Sequence, residues 1–107
     1  MKNEKFLPIG SVVLIKKAQR KLMIIGYCST PKENERKLYD YVSVLFPEGL
    51  IKLDQVLIFN HDDIVKTFHM GYHNSESQKF NDQLHNFVKN NVDSNGYLKM
   101  NPSDIFK

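Results

Sequence analysis

Only one cysteine and no tryptophan occur among the 107 residues of this chain. Because Cys28 has no second cysteine to pair with, an internal disulfide is excluded, which fits a reducing compartment. The longest apolar runs, at 12–15 and 56–59, are far shorter than the roughly 18 to 20 residues that a membrane-spanning helix requires. The N-terminal residues reach Pro8 and Gly10 before the apolar core of a signal peptide forms. We therefore expect a soluble, cytoplasmic protein without membrane insertion.

Side chains for metal binding or catalysis are also sparse. The chain has 4 histidines and lacks the close Cys/His pairs of structural zinc modules. Residues 93–96 resemble part of a calcium loop but lack the distal glutamate, and the adjacent Asp62 and Asp63 suit the start of a helical turn. Cys28 lies in an apolar stretch, where a cysteine usually behaves as a small hydrophobic residue. The sequence therefore predicts no metal site, no cofactor and no catalytic residue, and so a protein that is not an enzyme.

Hydrophobic patterning predicts about five strands in the first two thirds of the chain. The β-branched run at 11–16 and the apolar stretch at 22–28 are close enough in sequence to form an antiparallel hairpin. Residues 38–46 alternate with a period of two, which places Tyr39 and Tyr41 on the same face of a third strand.

Further apolar stretches complete the predicted sheet. A turn at 47–49 allows residues 50–52 to pair back as a short strand. Residues 56–59 are predicted to be buried, as either strand or helix, and Asn60 is placed to cap the helical turn that follows. Residues 65–72 are predicted to form another strand.

The C-terminal third changes its hydrophobic period. Ser75 and Gln78 match a capping box, and apolar side chains recur at helical spacing from Phe80 onward, which predicts a helix at about 75–90 and a loose tail at 91–107. The fold class is therefore α+β. We expect one domain over residues 1–107, with a small, partly rolled antiparallel sheet at about 9–72, close to an SH3-like barrel, and a C-terminal helix.

Basic side chains gather in two predicted loops, although the net charge is only +3. They are Lys16, Lys17, Arg20, Lys21, Arg36 and Lys37. Small barrels that bind single-stranded nucleic acid combine such loops with exposed aromatic side chains, here Tyr39 and Tyr41. This pattern makes a small basic barrel that binds single-stranded nucleic acid the alternative function, although acidic residues dilute both loops.

An ordered series of blocks resembles a small family of bacterial proteins of unknown function. The blocks are LPIGSVVL at 7–14, KLMIIGY at 21–27, YDY at 39–41, PEG at 47–49 and FNHDDI at 59–64, and the resemblance covers about residues 6–85. Members of that family are encoded beside type VII secretion genes of Gram-positive bacteria, in the company of LXG toxins. The resemblance implies an accessory, adaptor or chaperone that binds a secreted toxin or a secretion component in the cytoplasm, and it implies no catalytic residues.

The first functional hypothesis is therefore a non-catalytic protein-binding accessory of type VII secretion. Protein interfaces take most of their binding energy from a central cluster of aromatic and aliphatic side chains. The candidates for such a cluster are Tyr39, Tyr41, Phe46 and Leu50 on an exposed sheet face. A second candidate is an edge strand near 12–15, which would pair with an extended partner segment.

Overall fold

The computed structural model describes residues 6–101 and residue 104 of the chain. Within these residues there are five β-strands, a short 3-10 helix and one α-helix. In chain order they are β1 (Val12–Ile15), β2 (Leu22–Ser29), β3 (Tyr39–Leu45), β4 (Leu57–Phe59), the 3-10 helix (His61–Asp63), β5 (Ile64–His69) and α1 (Ser75–Asn91). The prediction of an α+β fold with a small antiparallel sheet and a C-terminal helix is confirmed.

The five strands form one antiparallel sheet in the order β4-β3-β2-β1-β5. The predicted β1–β2 hairpin is present, with Val12 opposite Met23. Because β4 and β5 lie at opposite edges and do not pair with each other in the described chain, the sheet is open, and the SH3-like barrel is not formed.

The edge of the sheet lies elsewhere than the sequence indicated. The 3-10 helix turns the chain back along β1, and the Lys16 N–H donates to the Asp63 carbonyl at 2.8 Å. β1 is therefore paired on both sides, with β2 and with β5. The prediction of an edge strand near 12–15 is wrong, and β5 takes that place.

The hydrophobic core lies between α1 and one face of the sheet, which we call the covered face. Val13, Ile24 and Tyr41 belong to this core, and all three are fully buried. From α1, Leu84 and Val88 pack against the same cluster. Burial of an aliphatic side chain of this size contributes about 1.5–3 kcal/mol, so these contacts fix the helix on the sheet.

Residues 50–52 do not form the predicted strand. Gly49, at φ 78°, closes a turn in which its N–H donates to the Leu45 carbonyl at 2.8 Å, and residues 51–54 follow as bends and turns. Of residues 56–59, for which the sequence allowed either strand or helix, Leu57–Phe59 form the short strand β4. β5 ends at His69 rather than at residue 72, and the Gly71 N–H donates to the Ser11 hydroxyl at 3.0 Å instead of to a neighbouring strand.

The helix begins as predicted, but its capping box lies one residue earlier. Asn74, rather than Ser75, is the N-cap: its side chain accepts from the Ser77 N–H at 2.9 Å, and the Ser77 hydroxyl accepts from the Asn74 N–H at 2.8 Å. Gln78 instead donates to the Asp82 carboxylate at 3.0 Å. Within residues 6–101 no helix is long and apolar enough to cross a bilayer.

The stretch after α1 is not loose where the structure describes it. We call residues 92–98 the docked segment, because Leu98 is fully buried and its N–H donates to the Arg36 carbonyl at 2.7 Å. The Arg36 guanidinium in turn donates to the Leu98 carbonyl at 2.5 and 2.8 Å. The prediction of a loose tail is therefore wrong for residues 92–98, whereas its end, at 102–103 and 105–107, lies outside the described residues.

Candidate functional site

A run of apolar side chains lies in solvent between the turn after β3 and strand β4. The exposed fraction is 86% for Leu53, 70% for Ile51 and 47% for Leu50. Val56 and Leu57 are exposed as well, and we call residues 50–57 the exposed segment. Apolar side chains that are adjacent and exposed in this way mark interaction surfaces on folded proteins, whereas single exposed ones need no explanation.

Few backbone contacts hold the exposed segment to the rest of the sheet. In its turn region, the Gln55 N–H donates to the Lys52 carbonyl at 3.0 Å, which lies within the segment itself. The segment then enters β4, a strand of 3 residues that pairs with β3 alone. Its last residue, Leu57, is held by β3, because the Leu57 carbonyl accepts from the Ser43 hydroxyl at 2.9 Å.

The four side chains predicted to bind a partner differ in their exposure to solvent. Phe46 and Leu50 are exposed, Phe46 directly after β3 and Leu50 at the start of the exposed segment. Tyr39 is half-buried. Tyr41 is fully buried, because its face of β3 is the covered face. Tyr41 therefore belongs to the core and not to an exposed sheet face.

A polar network surrounds the hydroxyl of Tyr41. The Leu7 N–H donates to this hydroxyl at 2.9 Å, and the hydroxyl also hydrogen-bonds to Nδ1 of His61 at 2.8 Å. The His61 N–H donates to the Asp40 carboxylate at 2.9 Å. Burial raises the pKa of Asp40 above its ordinary value, and the hydrogen bond from His61 opposes that rise. The network ties the N-terminal segment to β3 and the 3-10 helix.

A groove of about 1000 Å³ lies between α1, the β3–β4 end of the sheet and the docked segment. Its walls carry the carboxylates of Asp40, Asp62, Asp63, Asp82 and Asp93, with Lys37 and Lys89 as basic neighbours. Negative charge therefore prevails in this groove, although the chain as a whole is basic. Among the described residues no three potential ligands gather that could hold a metal ion. An acidic groove favours cationic groups and repels phosphates.

Comparison with protein-family models matches residues 6–80 to DUF4176, a domain of unknown function. The chain belongs to the DUF4176 family. Comparisons with curated proteins and with solved structures give no significant match. The DUF4176 match contains all five strands and the exposed segment, and it ends within α1.

The basic residues of this DUF4176 domain contact different parts of the molecule. Arg20 pairs with Glu48 at 2.5 Å, and Lys21 lies over the ring of Phe68 in β5, 4.7 Å from its centroid. Lys16 and Lys17 are exposed after β1. Arg36 and Lys37 contact the docked segment instead, through the Leu98 carbonyl and the Tyr97 ring. Several of the predicted nucleic-acid contacts are thus already engaged within the chain.

The one thiol of the domain is largely withdrawn from solvent. Burial raises the pKa of Cys28 to about 12, and the neighbouring Asp40 carboxylate adds to the effect. The thiolate is the nucleophilic form of cysteine, so near neutral pH Cys28 is in its unreactive, protonated form.

Ile51 and Leu53 are not among the residues that the sequence predicts to bind a partner, yet their exposure makes them the central residues of the candidate surface. The sequence predicts a short strand at 50–52, which contains Ile51 but not Leu53. A usable signal was present, because Lys52 and Asp54 are interleaved with the apolar residues and favour a solvated loop.

Proposed function

We propose that this chain is a non-catalytic protein-binding accessory, which acts as an adaptor or chaperone for a toxin or a component of type VII secretion in the cytoplasm. The observation that supports the proposal is the exposed segment, with Ile51 and Leu53 in solvent and Phe46 and Leu50 also exposed. Interfaces between proteins are built around aliphatic and aromatic side chains of this kind, surrounded by polar residues.

The energetics favour use of the exposed segment in binding. Covering an aliphatic side chain contributes about 1.5–3 kcal/mol relative to leaving it in water. Ile51 and Leu53 contribute almost none of this to folding, because most of their surface stays exposed. The same free energy is therefore available when a partner covers them.

The connection with type VII secretion rests on the sequence blocks at 7–14, 21–27, 39–41, 47–49 and 59–64. These blocks resemble proteins encoded beside LXG toxins, and they lie within the DUF4176 match. A secreted toxin or a secretion component is therefore the partner class to be tested first.

Binding of single-stranded nucleic acid is the alternative function, and the same experiment must distinguish it from binding of a protein. Arg20 and Arg36 are engaged within the chain, and the groove beside α1 carries five aspartates on its walls. Phosphate binding weakens steeply as salt rises, whereas an apolar interface does not.

The test is co-purification of the tagged protein with the products of neighbouring genes, washed at low and high salt after nuclease treatment. We expect one stoichiometric protein partner that survives high salt. The double variant Ile51→Ser, Leu53→Ser should reduce its capture at least about ten-fold, given the burial free energy of two aliphatic side chains.

The matched control is Tyr72→Ser, since Tyr72 is 81% exposed and lies outside the exposed segment. It should leave capture unchanged. Recovery of nuclease-sensitive, salt-sensitive material alone would contradict the proposal and favour the basic loops. Equal capture by the double variant and the wild type would remove the exposed segment as the binding surface.

A further inference from the structure

Strand β5 forms an edge of the sheet that is open to solvent on both faces. It has 6 residues, of which only Ile64 is half-buried and the others are exposed. Val65 is 56% exposed and Phe68 41%. The helix does not cover this strand, because Leu84 and Val88 pack against the central cluster of the covered face.

The outer backbone of β5 has no partner among the described residues. One side of the strand pairs with β1, and no further backbone or side-chain hydrogen bond reaches residues 65–69 in the described chain. An unpaired edge presents a row of N–H and C=O groups that can pair with an added strand. The opposite edge, β4, has only 3 residues and offers a shorter row.

The open face of this edge is positively charged around an aromatic ring. The Lys21 and Lys66 ammonium groups lie 4.7 and 4.9 Å from the centroid of the Phe68 ring. Neither lysine makes an ion pair with a described residue. β5 itself carries no acidic side chain. The edge therefore combines free backbone groups, exposed apolar side chains and uncompensated positive charge.

We propose that β5 binds an extended segment of a partner protein as a sixth strand, with acidic side chains facing Lys66 and Lys21 and apolar side chains beside Phe68. Opposite charges on neighbouring strands stabilise their pairing, and like charges oppose it. This inference rests on the proposed protein-binding function but uses a surface separate from the exposed segment.

A second copy of this chain is a poorer occupant of the edge. Pairing of two β5 strands about a two-fold axis at Thr67 would bring Lys21 and Lys66 of both copies onto one face. Four ammonium groups would then face each other without a carboxylate in β5 to offset them. The positive charge of the edge therefore favours an acidic strand from a different protein over β5 of a second copy.

The test uses synthetic peptides in which glutamate alternates with valine, together with the same peptide carrying lysine in place of glutamate. A third peptide repeats the acidic sequence with alternate amides N-methylated, which removes the backbone donors that a strand needs. Binding is measured by calorimetry, and its position by protection of backbone amides from hydrogen exchange.

We expect the acidic peptide to bind and to protect the amides of β5, and the lysine and N-methylated peptides not to bind. Lys66→Glu should weaken the acidic peptide about ten-fold, because a cross-strand attraction becomes a repulsion. Lys32→Glu, which makes the same charge change in the exposed loop before β3, is the control and should change binding little. Val65→Ser tests the strand without a charge change and should leave the acidic peptide bound with at most a few-fold loss.

Three results would overturn the inference: no binding of the acidic peptide, protection elsewhere than β5, or a concentration-dependent dimer that protects β5 without peptide. The proposed function is tested separately, through partner capture by the Ile51→Ser, Leu53→Ser variant. Retained peptide binding with lost partner capture in that variant would assign the partner to the exposed segment. Lost capture by Lys66→Glu with unchanged capture by the double variant would assign it to β5 alone.

Discussion

Two irregular segments of the molecule differ in whether their apolar side chains are buried. The exposed segment, 50–57, is rich in aliphatic residues and leaves Leu53 86% exposed. The docked segment, 92–98, is mostly polar and buries Leu98 completely. Hydrophobic content therefore does not decide which of the two packs against the fold.

The difference lies in the backbone partners of each segment. Leu98 exchanges hydrogen bonds with Arg36 through its N–H and its carbonyl, and the Gly96 carbonyl accepts from the Leu38 N–H at 2.9 Å. The turn of the exposed segment closes only on itself, through Gln55 and Lys52. The docked segment is held because its backbone pairs with residues 36–38, and this pairing places the Leu98 side chain in the core.

The largest expected effect comes from Leu98→Ala. Removing a fully buried leucine side chain should lower the free energy of unfolding by about 2–5 kcal/mol, because contacts are lost and a cavity remains. Urea unfolding measures this, with Leu53→Ala as the matched change in the exposed segment. A loss at Leu98 no greater than that at Leu53 would show that the docked segment does not contribute to the folded state.

A smaller, pH-dependent effect is expected from Asp93→Asn. Hydrogen bonds from the N–H groups of Tyr97 and Asn95 hold the pKa of Asp93 below its ordinary value of 3.8. The carboxylate therefore stabilises the fold at pH values above 3.8, and this contribution is lost as the pH falls through the lowered pKa.

Thermal unfolding of the wild type and of Asp93→Asn across pH measures this contribution. The variant should melt lower than the wild type at neutral pH, and the two should converge in acid. A constant difference at every pH would mean that the Asp93 charge does not hold the turn of the docked segment.

The smallest effect on stability is expected from Leu53→Ser. Since this side chain is almost wholly in solvent, the free energy of unfolding should change by less than about 0.5 kcal/mol. Urea unfolding beside Leu98→Ala makes the comparison direct. A loss above 1.5 kcal/mol, roughly that of burying one aliphatic side chain, would mean that the exposed segment packs on the fold in solution.

Periodicity was enough to predict most regular elements. The hairpin at 11–28, the alternation at 38–46 and the helical spacing from Phe80 each extend over several residues, so that a local pattern determines the element. Alternation groups side chains by face but does not identify the face that is covered. Tyr41 was therefore expected on an exposed face, whereas α1 lies over that face and buries it.

Long-range contacts account for the other differences. Leu98 is buried by pairing with residues 36–38, which are some sixty positions away in the sequence, as the 62-residue separation of Arg36 and Leu98 shows. No local signal marks such a pairing. The identity of the edge strand depends in the same way on the return of β5 alongside β1.

The match to the family model ends at residue 80, which lies within helix α1. Leu84 and Val88, which close the core, lie beyond that point, and so does Leu98. A piece that ends with the family match would therefore lack side chains that close the core. Expression fragments trimmed to residues 6–80 would expose the covered face to solvent, and functional fragments should extend at least through residue 98.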